Sequence, residues 1–326
     1  MTETLFDNAR NRVGQSCPPI WMMRQAGRYQ ASYRAFKEKF SFEQMCKLPQ
    51  IASDVAMLPI KEYDFDVAIL FSDILFHIES LGIPLKFDPS PKFAFDLTEE
   101  NYKNHLFKQK SINHLEFQAR AIKKTKEKLP FKKNLVGFVG GPWTLMNYAC
   151  GQTKVTNQFK IKFIKDNIVP LLQNSIRQQT KAGADSVMIF DSGLHNLPKG
   201  LFDKEYCKIL ADLASLENTV YYSKNLPYNS MNKLIEIQFS GIGIDSTVDL
   251  PKILQKVQKG FVQGNFDENK MLLPEQELRR EVHKFCDKLE NVDRTGWVCG
   301  LGHGILKDTP PTNVRIFVDM VRNYFR

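Results

Sequence analysis

The chain has 326 residues, of which 43% are hydrophobic and 25% charged, and its formal net charge is +9. These proportions are typical of a globular protein with a sizeable core, and no long apolar run predicts a membrane partner. The lysines are dispersed, without zinc-finger spacing or an arginine-rich arm, so we expect no nucleic-acid partner. The six cysteines form no Cys-x-x-Cys pair and no leader-like segment opens the chain, which predicts reduced thiols, mostly buried, in a cytoplasmic protein.

Residues 1–66 are predicted to form a mostly helical N-terminal extension, in which residues 19–29 are the most informative segment. An apolar strip there leads directly into Arg24 and Arg28, with Gly27 between them. Glycine lowers helix propensity by about 1 kcal/mol relative to alanine, which favours a turn. Arginine presents a planar fork that matches carboxylates, so two such forks predict a pocket for a ligand with several carboxylates or phosphates. A solvated surface turn is the alternative that the spacing alone leaves open.

Downstream of this extension, short apolar runs alternate with segments of helical periodicity. Seven runs are predicted strands: Val67–Leu70, Leu135–Val139, Ser186–Phe190, Thr219–Tyr222, Gly241–Ile244, Gly260–Gln263 and Gly296–Cys299. Prolines mark residues 83–114 as an insertion, and helical periodicity covers Phe163–Lys181 and Thr312–Tyr324. Alternating strands and helices predict parallel βαβ units, and their number fits a distorted (β/α)8 TIM barrel better than a doubly wound sheet. We therefore expect a single α/β domain, residues 1–326, with the barrel over residues 67–326.

Polar or glycine-rich segments follow five of these strands at the same relative place. They are Ser72-Asp73, Gly140-Gly141, Asp191-Ser192, Gly264-Asn265-Phe266-Asp267 and Gly300-Leu301-Gly302-His303-Gly304. In a (β/α)8 barrel these positions meet at the carboxyl-terminal mouth, where active sites lie. Asp73, Asp191 or Ser192 could instead cap the next helix, and His303 could be a turn residue. Their convergence favours a site, while the lack of a Gly-x-Gly-x-x-Gly motif and of a P-loop argues against a nucleotide cradle.

Five motifs together resemble those of the uroporphyrinogen decarboxylases, in the family's order and over nearly the whole chain. They are Met22-Met23-Arg24-Gln25-Ala26-Gly27-Arg28-Tyr29, Phe71-Ser72-Asp73-Ile74-Leu75, Gly141-Pro142-Trp143-Thr144-Leu145-Met146, Gln263-Gly264-Asn265-Phe266-Asp267, and Leu301-Gly302-His303-Gly304-Ile305 with Thr309-Pro310-Pro311. The resemblance implies an enzyme of haem biosynthesis that removes carbon dioxide from the four acetates of uroporphyrinogen III, giving coproporphyrinogen III. It also implies a homodimer of TIM barrels that uses no metal and no organic cofactor.

The resemblance also assigns roles to individual residues. Eight match substrate-binding positions of the family: Arg24, Gln25, Arg28, Lys37, Asp73, Tyr148, Ser192 and His303. The two arginines match residues that bind substrate carboxylates, and the lysine stands roughly where relatives have another arginine. Asp73 matches the aspartate that faces the pyrrole N–H groups, and Tyr148 a tyrosine near the reacting acetate. Ser192 and His303 match residues that hydrogen-bond substrate side chains, and the expected catalytic residues are Asp73, Arg24 and Tyr148.

The chain departs from the family's pattern at four places. Gln30-Ala31-Ser32 stands where relatives usually have Leu-Pro-Glu, and Asp245-Ser246 replaces the usual Asp-Trp. Glu268 replaces a common proline, and the glycine-rich stretch after Tyr148 is short. These changes predict altered loop geometry and turnover around a site whose principal binding residues are retained.

Two other functions remain open from the sequence. Zinc-dependent methyltransferases of the wider superfamily act on corrinoid or thiol substrates, and their zinc ligands are typically His-x-Cys with a later Cys. No His-x-Cys occurs in this chain, so we expect no metal site. The second alternative is a non-catalytic porphyrinogen-binding protein, which the four departures suggest.

Overall fold

The computed structural model of the protein describes residues 3–104 and 112–326. In these ranges nine strands are present: β1 (Val67–Ile69), β2 (Leu85–Phe87), β3 (Pro91–Phe93), β4 (Asn134–Gly140), β5 (Ser186–Phe190), β6 (Thr219–Tyr222), β7 (Gly241–Gly243), β8 (Phe261–Phe266) and β9 (Trp297–Leu301). The same ranges hold fifteen α-helices: α1 (Leu5–Arg10), α2 (Ala31–Lys39), α3 (Phe42–Lys47), α4 (Pro49–Tyr63), α5 (Phe76–Ser80), α6 (Glu99–Asn104), α7 (Glu116–Lys128), α8 (Pro142–Cys150), α9 (Asn157–Phe163), α10 (Val169–Lys181), α11 (Cys207–Ala214), α12 (Tyr228–Ile237), α13 (Leu250–Lys256), α14 (Glu275–Asp287) and α15 (Pro311–Tyr324). Short 3-10 turns cover Ile112–Leu115, Ser192–Asn196 and Glu268–Leu272, and π-helical turns cover Ile164–Ile168 and Phe202–Tyr206.

Seven strands form one curled parallel sheet in the order β1-β4-β5-β6-β7-β8-β9. Each of the seven predicted runs gives one strand of this sheet, and helices connect successive strands, as predicted for parallel βαβ units. The remaining strands, β2 and β3, form an antiparallel hairpin within the predicted insertion. The part of that insertion over residues 105–111 lies outside the described residues.

The N-terminal segment closes the ring between the last and the first strand of the sheet. The Trp21 amide donates to the Cys299 carbonyl at 2.9 Å, and the Cys299 amide donates to the Pro19 carbonyl at 2.8 Å. On its other side, the Ile20 carbonyl accepts a 3.0 Å hydrogen bond from the amide of Asp66, the residue before β1. Residues 19–21 thus take the eighth position of the barrel, although they precede the predicted boundary at residue 66.

The core explains why these segments fold as they do. All residues of the seven central strands are buried except Phe190 at the end of β5, which is partly buried, and sheets covered on both faces favour such uninterrupted apolar runs. The helices bury one stripe each: α14 buries Leu278, Val282 and Cys286, which are four residues apart. Five of the six cysteines are buried and all six are free, as predicted.

The structure shifts several predicted boundaries. β8 runs to Phe266, so Gly264-Asn265-Phe266 lie in the strand and not after it, because they pair with residues 299–301 of β9. The helical pattern over Phe163–Lys181 is interrupted by the π-helical turn Ile164–Ile168 before α10 begins. No helix in the two described ranges is long and apolar enough to cross a membrane.

Candidate active site

The turn that carries the two arginines is bonded to the loop after β9. The Ile305 amide donates to the Arg24 carbonyl at 3.1 Å. A Cβ atom on Gly304 would lie 2.3 Å from the Cβ of Arg24, so only glycine permits this close approach. The first and last of the five motifs are therefore neighbours in the fold, and Arg24 stands beside the His303 loop.

Gln25 stabilises the interior of this turn. Its side-chain oxygen accepts from the Met22 amide at 3.2 Å, and its carbonyl accepts from the Tyr29 hydroxyl at 2.7 Å. The Tyr29 ring stacks on Tyr63 of α4 with 6.2 Å between centroids. The Gln25 Nε2 atom is buried and has no hydrogen-bond partner among the described residues.

The departures at Gln30 and Ser32 form a network that is tied to α4. Gln30 is fully buried, its Oε1 atom accepts from the Gly27 amide at 3.3 Å, and its Nε2 atom donates to Glu62 at 3.1 Å. The Ser32 hydroxyl donates to the other carboxylate oxygen of Glu62. These residues therefore fix the turn to α4 by polar contacts, and the Glu62 carboxylate is the shared acceptor.

Asp73 follows β1 and lies partly buried ahead of α5. Its Oδ1 atom accepts from the Leu75 amide at 2.9 Å. Burial raises the pKa of the Asp73 carboxyl above its ordinary value, while the Leu75 hydrogen bond and the Arg24 guanidinium lower it. Arg24 therefore acts electrostatically on Asp73 as well as standing beside the His303 loop.

His77 secures the backbone just after Asp73. Its Nδ1 atom lies 3.0 Å from the Ile74 carbonyl oxygen, and its Nε2 atom lies 3.1 Å from the Ser175 hydroxyl. A carbonyl oxygen can only accept, so Nδ1 carries the proton and Nε2 accepts from Ser175. Complete burial lowers the pKa of His77 to about 4, and the ring is therefore neutral at physiological pH.

Asp191, directly after β5, is a fully buried carboxylate that joins two loops of the mouth. It accepts from the Thr144 amide at 2.9 Å, from the Thr144 hydroxyl at 2.8 Å, and from the hydroxyls of Tyr206 and Tyr221. Burial raises the pKa of Asp191, and these four donors oppose that rise. The Thr144 hydroxyl also accepts from the Gly193 amide at 2.8 Å, which fixes the turn that begins at Ser192.

Glu268 and Lys224 are charged residues that act on His303 at the mouth of the barrel. The His303 ring is partly buried, and its Nδ1 atom lies 3.3 Å from the Gly304 carbonyl oxygen. Burial lowers the pKa of His303, the Gly304 carbonyl and Glu268 oppose this shift, and Lys224 and Arg24 add to it. Glu268 is one of the departures expected from the family resemblance, and it acts electrostatically on a predicted site residue.

The predicted site residues are placed in three ways. The exposed Arg24 lies beside the His303 loop through its backbone and acts electrostatically on Asp73 and His303. Gln25 is buried within the arginine turn, and the other four are placed separately. Arg28, Lys37 and Tyr148 are exposed, Tyr148 by 47% of its surface, and Ser192 is partly buried in its 3-10 turn. In the described ranges no hydrogen bond or ion pair joins Lys37 to the other predicted residues.

A surface cleft elsewhere in the molecule does not coincide with these residues. It has a volume of about 850 Å³ and is lined chiefly by α13, α14 and the ends of β7 and β8. None of the eight predicted residues lines it. The site is therefore assigned from the convergence of side chains and backbone contacts at the strand ends, and not from cavity size.

Sequence reasoning missed two residues of this region and left the role of a third open. Glu62 and Lys224 are isolated charges in the sequence, and nothing in their spacing marks them as neighbours of the motifs. Asp191 carried a signal, since an aspartate directly follows a buried strand, but that signal did not distinguish a helix cap from an acceptor shared by two tyrosines. Over residues 3–104 and 112–326, no group of three or more His, Cys, Asp or Glu residues could hold a metal ion.

Known proteins are similar to this chain over nearly its full length. The uroporphyrinogen decarboxylase (URO-D) family model matches residues 1–324. A uroporphyrinogen decarboxylase of Francisella philomiragia is 32% identical over 344 residues, covering 98% of both chains. One of Orientia tsutsugamushi is 34% identical over 339 residues, covering 97% of both.

Solved structures extend the likeness to the fold. A methyltransferase from Methanosarcina mazei aligns over 100% of both chains with a TM-score of 0.80 and 16% identity. A putative vitamin-B12-independent methionine synthase from Listeria monocytogenes gives a TM-score of 0.60 at 12% identity, covering 95% of this chain and 99% of that one. At such identities the structures establish a shared barrel architecture and nothing about the reaction. The sequence match over residues 1–324, together with the five motifs gathered at the strand ends, shows that this chain belongs to the uroporphyrinogen decarboxylase family.

Proposed function

We propose that this protein decarboxylates the four acetate side chains of uroporphyrinogen III and releases coproporphyrinogen III for tetrapyrrole biosynthesis. The observation that carries the proposal is the grouping of Arg24, Asp73 and His303, which come from three separate motifs. Family membership supports the same reaction, since the relatives matched over nearly their full length are named uroporphyrinogen decarboxylases.

The reaction requires an electron sink. Loss of carbon dioxide leaves an electron pair on the former acetate carbon, and a neutral pyrrole cannot accept that pair. Protonating the ring carbon next to the acetate-bearing carbon makes a cationic, imine-like ring that can accept it. A carboxylate at the pyrrole N–H groups stabilises this cation, and a partly buried carboxylate does so strongly because the local dielectric constant is low. We assign that role to Asp73, whose Oδ1 atom is held by the Leu75 amide.

The cationic side chains supply the complementary charge for the substrate's carboxylates. Arg24 and Arg28 are assigned to acetate and propionate groups, because a guanidinium binds carboxylates in a bidentate manner. The exposed Lys37 is assigned to a further carboxylate as a point charge. The remaining substrate contacts are assigned to Gln25, Tyr148, Ser192 and His303.

The proton donor to the pyrrole carbon is assigned first to Arg24. Arginine holds its proton tightly, so it is a weak general acid, but a site from which water is excluded can make the transfer feasible. A water molecule held by Arg24 or Tyr148 is the second candidate. General acid catalysis typically contributes about 10²–10⁴-fold, so Asp73 and substrate positioning supply most of the acceleration.

Two other functions compete with this proposal. The fold is shared with methyltransferases, so a zinc-dependent methyltransferase would be supported by stoichiometric zinc in the purified protein. A non-catalytic porphyrinogen-binding protein would bind the macrocycle and leave its carboxylates unchanged. Neither the methyltransferase nor the non-catalytic binding protein would convert uroporphyrinogen III into coproporphyrinogen III.

The assembly and location of the protein are extensions of the same proposal. The family resemblance supports a homodimer of single-domain barrels that needs no metal, no organic cofactor and no nucleic-acid partner. The cysteine pattern supports a cytoplasmic location, because all six thiols are free and none is required to form a disulfide.

The product assay tests the proposal directly. The protein is incubated with uroporphyrinogen III without oxygen, and the carboxylates of the product are counted by chromatography after oxidation to the porphyrin. The proposal predicts intermediates with seven, six and five carboxylates and a four-carboxylate end product. Recovery of only the eight-carboxylate substrate would refute it.

A further inference from the structure

Glu268 is a buried charge at the mouth for which the family motifs give no role. It begins the 3-10 turn after β8 and is only 6% exposed. One carboxylate oxygen lies 3.6 Å from the Lys224 Nζ atom, and the other is buried without a hydrogen-bond partner among the described residues. An unpaired buried carboxylate oxygen is unfavourable, so its retention at this position points to an interaction formed when a ligand binds.

The backbone places Glu268 and His303 after two paired strand ends. Phe266 pairs with Leu301, and the Gly302 amide donates to the Phe266 carbonyl at 2.8 Å. The Tyr222 hydroxyl donates to the Gly302 carbonyl at 2.9 Å, so the end of β6 meets the same loop. Lys224 follows β6 two residues later, and the three charged or titratable side chains therefore surround one corner of the mouth.

The hydrogen bonding of His303 limits what its ring can bind. The Nδ1 atom faces the Gly304 carbonyl oxygen, which can only accept, so Nδ1 carries the proton of the neutral ring. Nε2 then presents a lone pair and would repel a carboxylate. A substrate carboxylate can accept a hydrogen bond from Nε2 only after that atom takes up a second proton.

The charges facing His303 come from three elements. Glu268 lies on the turn after β8 and favours the imidazolium, whereas Lys224 after β6 and Arg24 on the first motif disfavour it. Burial disfavours the imidazolium as well and lowers the pKa of the free ring. In the free protein at neutral pH the ring is therefore neutral, and of these three charges only Glu268 favours its protonation.

We propose that Glu268 is a positioning residue that lets His303 take up a proton as a substrate carboxylate binds, with Lys224 limiting the repulsion between Glu268 and that carboxylate. The proton comes from solvent and bonds to Nε2, and no other bond forms or breaks. Glu268 and the incoming carboxylate then both stabilise the imidazolium electrostatically. The identity of the carboxylate as a porphyrinogen side chain rests on the proposed function, whereas the coupling of Glu268 to His303 does not.

The coupling is tested in the free protein by NMR titration of the histidine rings. The His303→Gln variant identifies the signal of that ring, and Glu268→Gln is compared with Glu281→Gln. The second substitution removes the same charge from α14, where Glu281 pairs with Lys284 of the same helix and with Lys270 of the 3-10 turn after β8. We expect Glu268→Gln to move the His303 midpoint to lower pH by about 0.5 units or more, and Glu281→Gln to move it by far less. Unchanged midpoints of the other five histidines show that the fold is intact. Equal shifts in the two variants would overturn the proposal.

The consequence for binding is tested with uroporphyrinogen III across pH. Glu268→Gln is expected to raise KM about threefold above pH 7, because a 0.5-unit fall in a pKa reduces the protonated fraction about threefold there. At pH values below both midpoints the two KM values should converge, while kcat changes little throughout. A shifted His303 titration with a pH-independent KM ratio would overturn the link to carboxylate binding. A wild-type protein that does not decarboxylate would refute the proposed function, but the NMR result would still report on the coupling.

Discussion

The amide of Ile305 donates a 3.1 Å hydrogen bond to the carbonyl oxygen of Arg24, which joins the last motif of the chain to the first. The missing side chain of Gly304 makes this contact possible. The arginine turn is thereby fixed to the loop after β9 and reaches both Asp73 and His303 electrostatically. The site is therefore assembled only when the barrel closes.

The fall of kcat/KM at low pH should depend on the electrostatic interaction between Arg24 and Asp73. Asp73 acts as a carboxylate, so kcat/KM should fall as pH drops through its pKa, which burial raises. Arg24→Gln removes a charge that lowers this pKa, and the acid limb should therefore move to higher pH. Arg28→Gln is the control, and profiles normalised to their maxima are compared. Equal displacement of the limb in both variants would contradict the pairing.

Buried His77 should make stability depend on pH. Its folded pKa of about 4 lies below the ordinary value of 6.5, so the unfolded chain binds more protons between these values. This contribution to stability is complete above pH 6.5 and is lost as pH falls towards 4, by a total of about 3 kcal/mol. Urea unfolding should show that the free energy of unfolding falls less between pH 7 and pH 5 for His77→Gln than for the wild type. His195→Gln, at an exposed position, should behave like the wild type, and parallel losses in all three proteins would exclude this assignment.

The Gln30 network should hold the arginine turn in place. Gln30→Leu, the residue usual in relatives, leaves the Gly27 amide without its acceptor and Glu62 without one donor. We expect a loss of about 1–3 kcal/mol in the free energy of unfolding and a larger effect on KM than on kcat. Gln50→Leu removes an exposed amide that contacts Asp54 on α4 and serves as the matched control. Equal stability and KM in the two variants would show that the network is dispensable.

Thr144 should be required for the order of the β5 loop. Thr144→Val keeps the shape of the side chain but removes a donor to buried Asp191 and the acceptor of the Gly193 amide. The free energy of unfolding should fall by about 1–3 kcal/mol, as expected when buried polar groups lose partners. Thr180→Val, whose hydroxyl bonds only a helical carbonyl on α10, is the comparison. Chemical denaturation in which both variants lose the same stability would disprove the role of Thr144.

The sequence predicts the strands well and the contacts between them less well. Ser186–Phe190 and Thr219–Tyr222 are correct to the residue, because a short β-rich run between helical segments is a local signal. The eighth barrel position was not predicted, since Ile20 joins Cys299 and Asp66 through backbone groups that no residue pattern marks.

The same limit applies to the site. The motifs identify Asp73 and His303 because their residue types and neighbours are distinctive, whereas Glu62 acquires its role only through the folding of α4 against the turn. Glu268 was visible as a departure from the family, but its place beside His303 depends on the pairing of β8 with β9. Long-range pairing of this kind is set by the whole fold and not by local sequence.

In the proposed mechanism Asp73 stabilises the cationic pyrrole in the transition state and contributes little to substrate binding. The decisive measurement is a single-turnover experiment with Asp73→Asn and the wild type in excess over uroporphyrinogen III without oxygen, which separates binding from carbon dioxide release. We expect Asp73→Asn to bind the macrocycle within about tenfold of the wild-type affinity. The variant should lose most of its decarboxylation rate, because the charge of Asp73 matters mainly as the ring becomes cationic. A decarboxylation rate near that of the wild type would contradict this mechanism.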